Sequence, residues 1–79
     1  MGHEYIIRAK LPDGAKAAEI ISRLENPRDA NGWTAFTATV DRNGYYFCDN
    51  NRSKQSAFAF RKLIDYALLQ SDSVVVEEP

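Results

Sequence analysis

The chain has 79 residues, of which 44% are hydrophobic and 27% are charged, and its formal net charge is −1. A chain of this length forms at most one domain, residues 1–79, and its weak charge excludes a global attraction for nucleic acid or for an anionic membrane. The single cysteine, Cys48, excludes an internal disulfide framework, and no apolar run is long enough for a signal peptide or a membrane span, so we expect a cytoplasmic protein.

Residues 4–11 alternate between apolar and polar positions, which predicts a β-strand with one buried face. Arg8 and Lys10 are on the outward side of this strand. Pro12 ends the strand, and Asp13 is predicted to cap a helix that begins at Gly14 or Ala15. The apolar positions of that helix follow helical spacing and are Ala17, Ile20, Ile21 and Leu24. The helix is expected to close at Asn26, before Pro27.

Residues 33–41 alternate again and predict a second strand, with Trp33, Thr37 and Thr39 on its outward side. Asn43 and Gly44 form the strongest short hairpin signal in the chain, and the segment YYFCD is predicted to return as the partner strand. These features predict an antiparallel β-hairpin.

A helix is predicted from Gln55 to about Ser71, because this stretch contains neither glycine nor proline. Its expected apolar stripe is Ala57, Phe60, Ile64, Ala67 and Leu68. The β-branched segment SVVVEE predicts a last strand. The order β-α-β-β-α-β predicts an α+β fold, the ferredoxin-like plait, in which a four-stranded antiparallel sheet has two helices on one face.

The hairpin decides which aromatic residues of the third strand face the helices. A two-residue loop at Asn43 and Gly44, or a four-residue loop, directs Tyr45 and Phe47 inward. A three-residue loop directs Tyr46 and Cys48 inward instead. The Asn-Gly step favours the first facing.

The stretch NGYYFCDN resembles part of the nucleic-acid-binding strand of RNA-recognition motifs at Gly44, Tyr45 and Phe47. The resemblance implies a single-stranded nucleic-acid-binding sheet on which Tyr45 and Phe47 stack bases, and this requires the reversed facing. Asn43, Tyr46 and Asn50 depart from the pattern of the motif.

With Tyr45 and Phe47 inside, the uncovered face of the sheet is expected to have two apolar anchors, Trp33 and Tyr46, flanked by Arg8 and Lys10. Aromatic residues and arginine are enriched in the centres of protein interfaces. The sequence therefore predicts binding to a protein partner, or to a second copy in a homodimer. Two further cations, Arg52 and Lys54, are predicted near the start of the second helix, where backbone N–H groups favour anions.

The sequence does not favour an enzyme, a cofactor or a metal site. Its one histidine, His3, lies in the N-terminal segment, where a histidine-based triad is not expected, and one cysteine with one histidine gives no metal-ligand spacing. The segment LPDGAKAAEII resembles the ligand loop of ACT regulatory domains, which implies small-molecule sensing through Asp13, Gly14 and Lys16. A small phage or mobile-element inhibitor of a host complex is a further alternative. The favoured prediction is a non-enzymatic binding module.

Overall fold

The computed structural model describes residues 2–79, and it contains four strands and two helices in the predicted order. The elements are β1 (His3–Arg8), α1 (Gly14–Ser22), β2 (Phe36–Asp41), β3 (Gly44–Asp49), α2 (Lys54–Gln70) and β4 (Val75–Glu77). The caps follow the sequence: Asp13 accepts a hydrogen bond from the Lys16 N–H, and Ser53 accepts one from the Ser56 N–H. The prediction of an α+β chain is confirmed.

The four strands form one antiparallel sheet in the order β2-β3-β1-β4. The two central strands, β3 and β1, are therefore paired on both sides, and the three-residue strand β4 forms one edge. This order is compatible with the predicted plait. Because the register pairs Ile7 with Tyr45 and Tyr5 with Phe47, these four side chains lie on one side of the sheet.

The hydrophobic core lies between this side of the sheet and the two helices. Ile7, Tyr45, Phe47 and Leu63 are fully buried, and Ala17 of α1 belongs to the same cluster. Aromatic rings fill its centre: the ring of Phe47 is 5.0 Å from that of Phe36 and 5.1 Å from that of Phe60. Aromatic pairs at this separation stabilise a core beyond the area that they bury.

The hairpin has the predicted facing but not the predicted turn. The loop consists of Arg42 and Asn43, because Gly44 already pairs with Asp41 and lies within β3. Among residues 2–79 the only non-glycine residue with a positive φ is Arg52, so Arg42 and Asn43 do not form the type I′ turn that an Asn-Gly loop favours.

Three strands are shorter than predicted, and β4 occupies only Val75–Glu77 of the predicted segment SVVVEE. β1 ends at Arg8 rather than Leu11, and the Lys10 N–H bonds to the Ser71 hydroxyl instead of to a neighbouring strand. β2 begins at Phe36 rather than residue 33. The side chain of Asn26 bonds to both the N–H (3.1 Å) and the carbonyl (2.8 Å) of Phe36 and so fixes this point of entry.

The predicted stripe of α2 is partly wrong. Ala57 and Leu68 are exposed, and the buried positions are Ser56, Ala59, Leu63 and Ala67. The buried face is thus rotated about the helix axis relative to the prediction. The stripe of α1 is confirmed, since Ala17 and Leu24 are buried and Ile20 and Ile21 pack against the core, although α1 itself ends at Ser22.

Candidate functional site

The side of the sheet that faces away from the core is the candidate site, here called the open face. Strand alternation and the register place ten side chains on it. They are Glu4, Ile6, Arg8, Thr37, Thr39, Asp41, Tyr46, Cys48, Val75 and Glu77. None of the ten is buried, in contrast to Ile7, Tyr45 and Phe47 on the opposite side.

The centre of the open face is a row of four side chains that crosses all the strands. Thr39 pairs with Tyr46, Tyr46 with Ile6, and Ile6 with Glu77. Ile6 and Tyr46 are half-buried, and Cys48 follows Tyr46 at the next outward position of β3. Because paired side chains on one face touch across strands, Ile6 and Tyr46 form a small apolar centre.

The charges on the open face are held in place by contacts within the sheet. The Arg8 guanidinium contacts the Glu77 carboxylate across the β1–β4 pair. The Tyr46 hydroxyl donates a 2.8 Å hydrogen bond to the Glu4 carboxylate. Three carboxylates, those of Glu4, Asp41 and Glu77, therefore share this face with one guanidinium, and its local charge is negative.

Trp33 is not among the ten strand residues of the open face, and the prediction that places it in a strand is wrong. It lies in a loop that Asp29 closes: the Asp29 N–H bonds to the Trp33 carbonyl at 2.8 Å, and the Asp29 carboxylate accepts the Trp33 N–H at 3.1 Å. The Trp33 side chain is 68% exposed. Together with Gly2, Asp29 and Asn50 it lines a hollow of about 320 Å³. Trp33 is thus an exposed aromatic residue at the margin of the sheet.

The other predicted cations are also separate from the open face. Lys10 is exposed beyond the end of β1. Arg52 has a φ of 52° in the turn before α2, where its N–H bonds to the Asp49 carboxylate at 2.7 Å. Lys54 is the first residue of α2 and is exposed. Of the six predicted binding residues, the structure brings only Arg8 and Tyr46 together on the open face.

The facing required for RNA-recognition-motif binding is not found. Tyr45 and Phe47 are fully buried, so neither ring can stack on a base. The negative charge of the open face also opposes a phosphate backbone.

The residues of the ACT-like loop form a helix cap. The Asp13 carboxylate bonds to the Lys16 N–H at 3.1 Å, and both residues are exposed. This geometry accounts for Asp13 without a ligand.

Ile6 and Glu77 belong to the open face but are not among the residues predicted from the sequence. The available signal for Ile6 was its position between Glu4 and Arg8 as an apolar residue on a polar side of a strand. For Glu77 no local signal exists, because its partner Arg8 is 69 residues away.

Within residues 2–79, no three side chains of His, Cys, Asp and Glu converge as metal ligands. No helix in the same range is long and apolar enough to cross a membrane. Comparisons with protein-family models, curated proteins and solved structures found no match.

Tyr45 and Tyr46 lie on opposite sides of β3, and we expect their ionisation to lower the stability of the protein at alkaline pH. The hydrogen bond to Glu4, followed by burial, raises the pKa of Tyr46 above its ordinary value of 10.0, and burial raises the pKa of Tyr45. Above about pH 10 the unfolded chain releases protons that the folded chain retains, so the free energy of unfolding falls as the pH rises.

We expect the urea midpoint to be unaffected by these two groups below the ordinary pKa of 10.0 and to fall above it. Tyr46→Phe removes one of the two groups, so its midpoint should fall less steeply than that of the wild type. Urea titrations monitored by circular dichroism across this range test the prediction. An identical alkaline decline in the variant would show that Tyr46 does not contribute.

Proposed function

We propose that this protein is a non-enzymatic binding module with a ferredoxin-like plait, and that its open face docks on the surface of a protein partner. The observation that supports the proposal best is the uncovered apolar centre formed by Ile6 and Tyr46. The buried side chains of both helices lie on the other side of the sheet, so neither helix shields this centre.

The surroundings of the centre favour a protein surface over a nucleic acid. Arg8 is engaged by Glu77, and Tyr46 by Glu4, so these long side chains are already ordered before binding. Ordered side chains lower the entropy lost on association. The excess of carboxylates favours a partner with an apolar centre and a basic rim, because complementary charge steers association.

Capture from a native cell extract by the immobilised protein tests the proposal. Thr39→Lys places a long cation beside Tyr46, at an exposed position where the fold tolerates it. We expect this variant to lose the captured partner. Ala18→Lys introduces the same positive charge on the exposed side of α1, away from the open face. We expect this control variant to retain the partner.

Cys48 provides a second test, because it is the only cysteine and belongs to the open face. A photo-crosslinker attached to Cys48 should label the captured partner. The same reagent on Ala18→Cys, in a Cys48→Ser background, should not.

Equal labelling from both positions, or capture that Thr39→Lys leaves unchanged, would refute docking on the open face. A crosslink between two copies of the purified protein through Cys48 would instead indicate a homodimer on this face.

A further inference from the structure

The outer side of α2 exposes apolar side chains that the core does not use. Phe58 is 68% exposed and Leu69 is 77% exposed, and no large apolar residue of the helices is more exposed than Leu69. Lys62 and Asp65 are also exposed and lie between them. The four residues are separated by four, three and four positions, which is the spacing of a coiled-coil seam. We call Phe58, Lys62, Asp65 and Leu69 the α2 seam.

The α2 seam is complementary to itself when a second copy runs antiparallel. A twofold axis between positions 63 and 64 places Phe58 opposite Leu69 of the copy. The same axis places Lys62 opposite Asp65 of the copy. Each contact occurs twice by symmetry, as in every isologous interface.

The charges also select the direction of pairing. A parallel pair would place Lys62 against Lys62 and Asp65 against Asp65, and like charges at such positions are unfavourable. Lys62 forms no ion pair within residues 2–79, and Asp65 has only a 3.5 Å contact with the exposed Arg61. Lys62 is thus free to pair with the copy, and the exposed contact with Arg61 does not prevent Asp65 from pairing with it.

From these observations we infer that a second copy of this chain docks on the α2 seam, so that the protein forms an antiparallel homodimer through α2. A hollow of about 230 Å³ beside Phe58, lined also by Glu25, Gln55 and Lys62, leaves room for the Leu69 side chain of the copy. The aromatic-aliphatic contact supplies apolar burial at each end, and the charge pairs fix the register between them.

This dimer goes beyond the proposed function and does not depend on it. The α2 seam belongs to the helical layer, whereas the open face is on the opposite side of the sheet. Dimerisation through α2 therefore leaves two open faces free. If both dock, the dimer is a bivalent module, and its apparent affinity for a repeated partner exceeds that of either face alone.

Sedimentation velocity from low to high micromolar concentration measures the dissociation constant of the dimer. The inference is tested by exchanging the charges at positions 62 and 65. Lys62→Asp places carboxylates opposite each other, and Asp65→Lys places ammonium groups opposite each other. Each single variant is expected to raise the dissociation constant of the dimer by about tenfold or more. The double variant Lys62→Asp/Asp65→Lys restores opposite charges and is expected to return to within about threefold of the wild type.

Both positions are exposed, so thermal unfolding of each variant should show an intact fold. A wild-type protein that remains monomeric at the highest concentration would overturn the inference. So would a double variant that stays as weak as the singles. If Thr39→Lys lost the dimer while the α2 variants kept it, the open face would be the dimer contact and the inference would be overturned. If Thr39→Lys lost only the captured partner, the result would concern the proposed function and not the dimer.

Discussion

Replacing Gly44 with alanine is expected to destabilise the protein by about 3 kcal/mol or more, and so to unfold a large part of the population of so small a domain. Gly44 begins β3 and pairs with Arg8 on one side and Asp41 on the other. Its φ is 155°, a backbone conformation that side chains rarely allow.

The space around Gly44 adds a second penalty. A β-carbon there would overlap the carbonyl oxygen of Ile7 and would lie 2.8 Å from its carbonyl carbon and 3.1 Å from the Ala9 nitrogen. These are backbone atoms of β1 and of Ala9 just after it, and they cannot rotate away as a flexible side chain can. Relief requires the two central strands to separate at this point.

Gly14→Ala is the matched control, since it adds the same β-carbon at the first residue of α1. Apart from its chain neighbours and the backbone of α1, no atom lies within 4 Å of the added β-carbon, and we expect the free energy of unfolding to be unchanged or to rise by about 0.5 kcal/mol. Urea titrations of both variants give the comparison. Similar stabilities for the two would contradict the close approach of β1 and β3 at Gly44.

The facing of β3 could be predicted from the sequence because it depends on parity alone. A two-residue loop at Asn43 and Gly44 would pair Val40 with Phe47, whereas the observed partner of Val40 is Tyr45, two residues away. A shift of two preserves the side on which each residue lies, whereas a shift of one reverses it. The turn itself could not be predicted. The Asn-Gly pattern favours a loop at these two residues, whereas Gly44 lies within β3, where it packs closely against the backbone of Ile7.

The burial of α2 was harder to predict because its apolar residues surround the helix. Phe58, Leu68 and Leu69 are exposed, while Ala59 and Leu63 are buried. A periodic pattern with apolar residues on several sides admits more than one stripe. The choice depends on which side packs against the sheet, and that is a property of the assembled fold.

The candidate site could be predicted where strand alternation decides it. Arg8 and Tyr46 face outward as expected. Trp33 continues the alternation of β2 in the sequence, but its N–H donates to the Asp29 carboxylate and the Phe36 N–H donates to the Asn26 side chain, and β2 begins only at Phe36. Such contacts join residues that lie several positions apart, and local periodicity does not contain them.

Phe47→Ala is expected to lower the free energy of unfolding by about 3–5 kcal/mol, the range for a large aromatic residue removed from a core. The Phe47 side chain is fully buried, and its ring contacts those of Phe36 and Phe60. Alanine leaves a cavity between β3 and α2 that rigid neighbours fill only in part. In urea the midpoint should fall sharply, or the variant should be unfolded without urea.

Phe58→Ala removes the same atoms from a side chain that is 68% exposed, and we expect a change of less than about 0.5 kcal/mol. Alanine also has the higher helix propensity, which offsets part of any loss. Both variants are measured at low micromolar concentration, so that association through the α2 seam does not contribute.

The effect of Phe47→Ala tests which side of β3 faces the helices, and Phe58→Ala is its control. Tyr46 belongs to the open face only if Phe47 is inside. If Phe47→Ala had little effect while Tyr46→Ala unfolded the protein, the facing would be reversed. Tyr45 and Phe47 would then be available to stack on bases, and the nucleic-acid alternative would replace docking on a protein. A large loss for Phe47 and a small loss for Phe58 exclude that arrangement, because a ring that supports the core cannot also bind a ligand on the opposite side of the sheet.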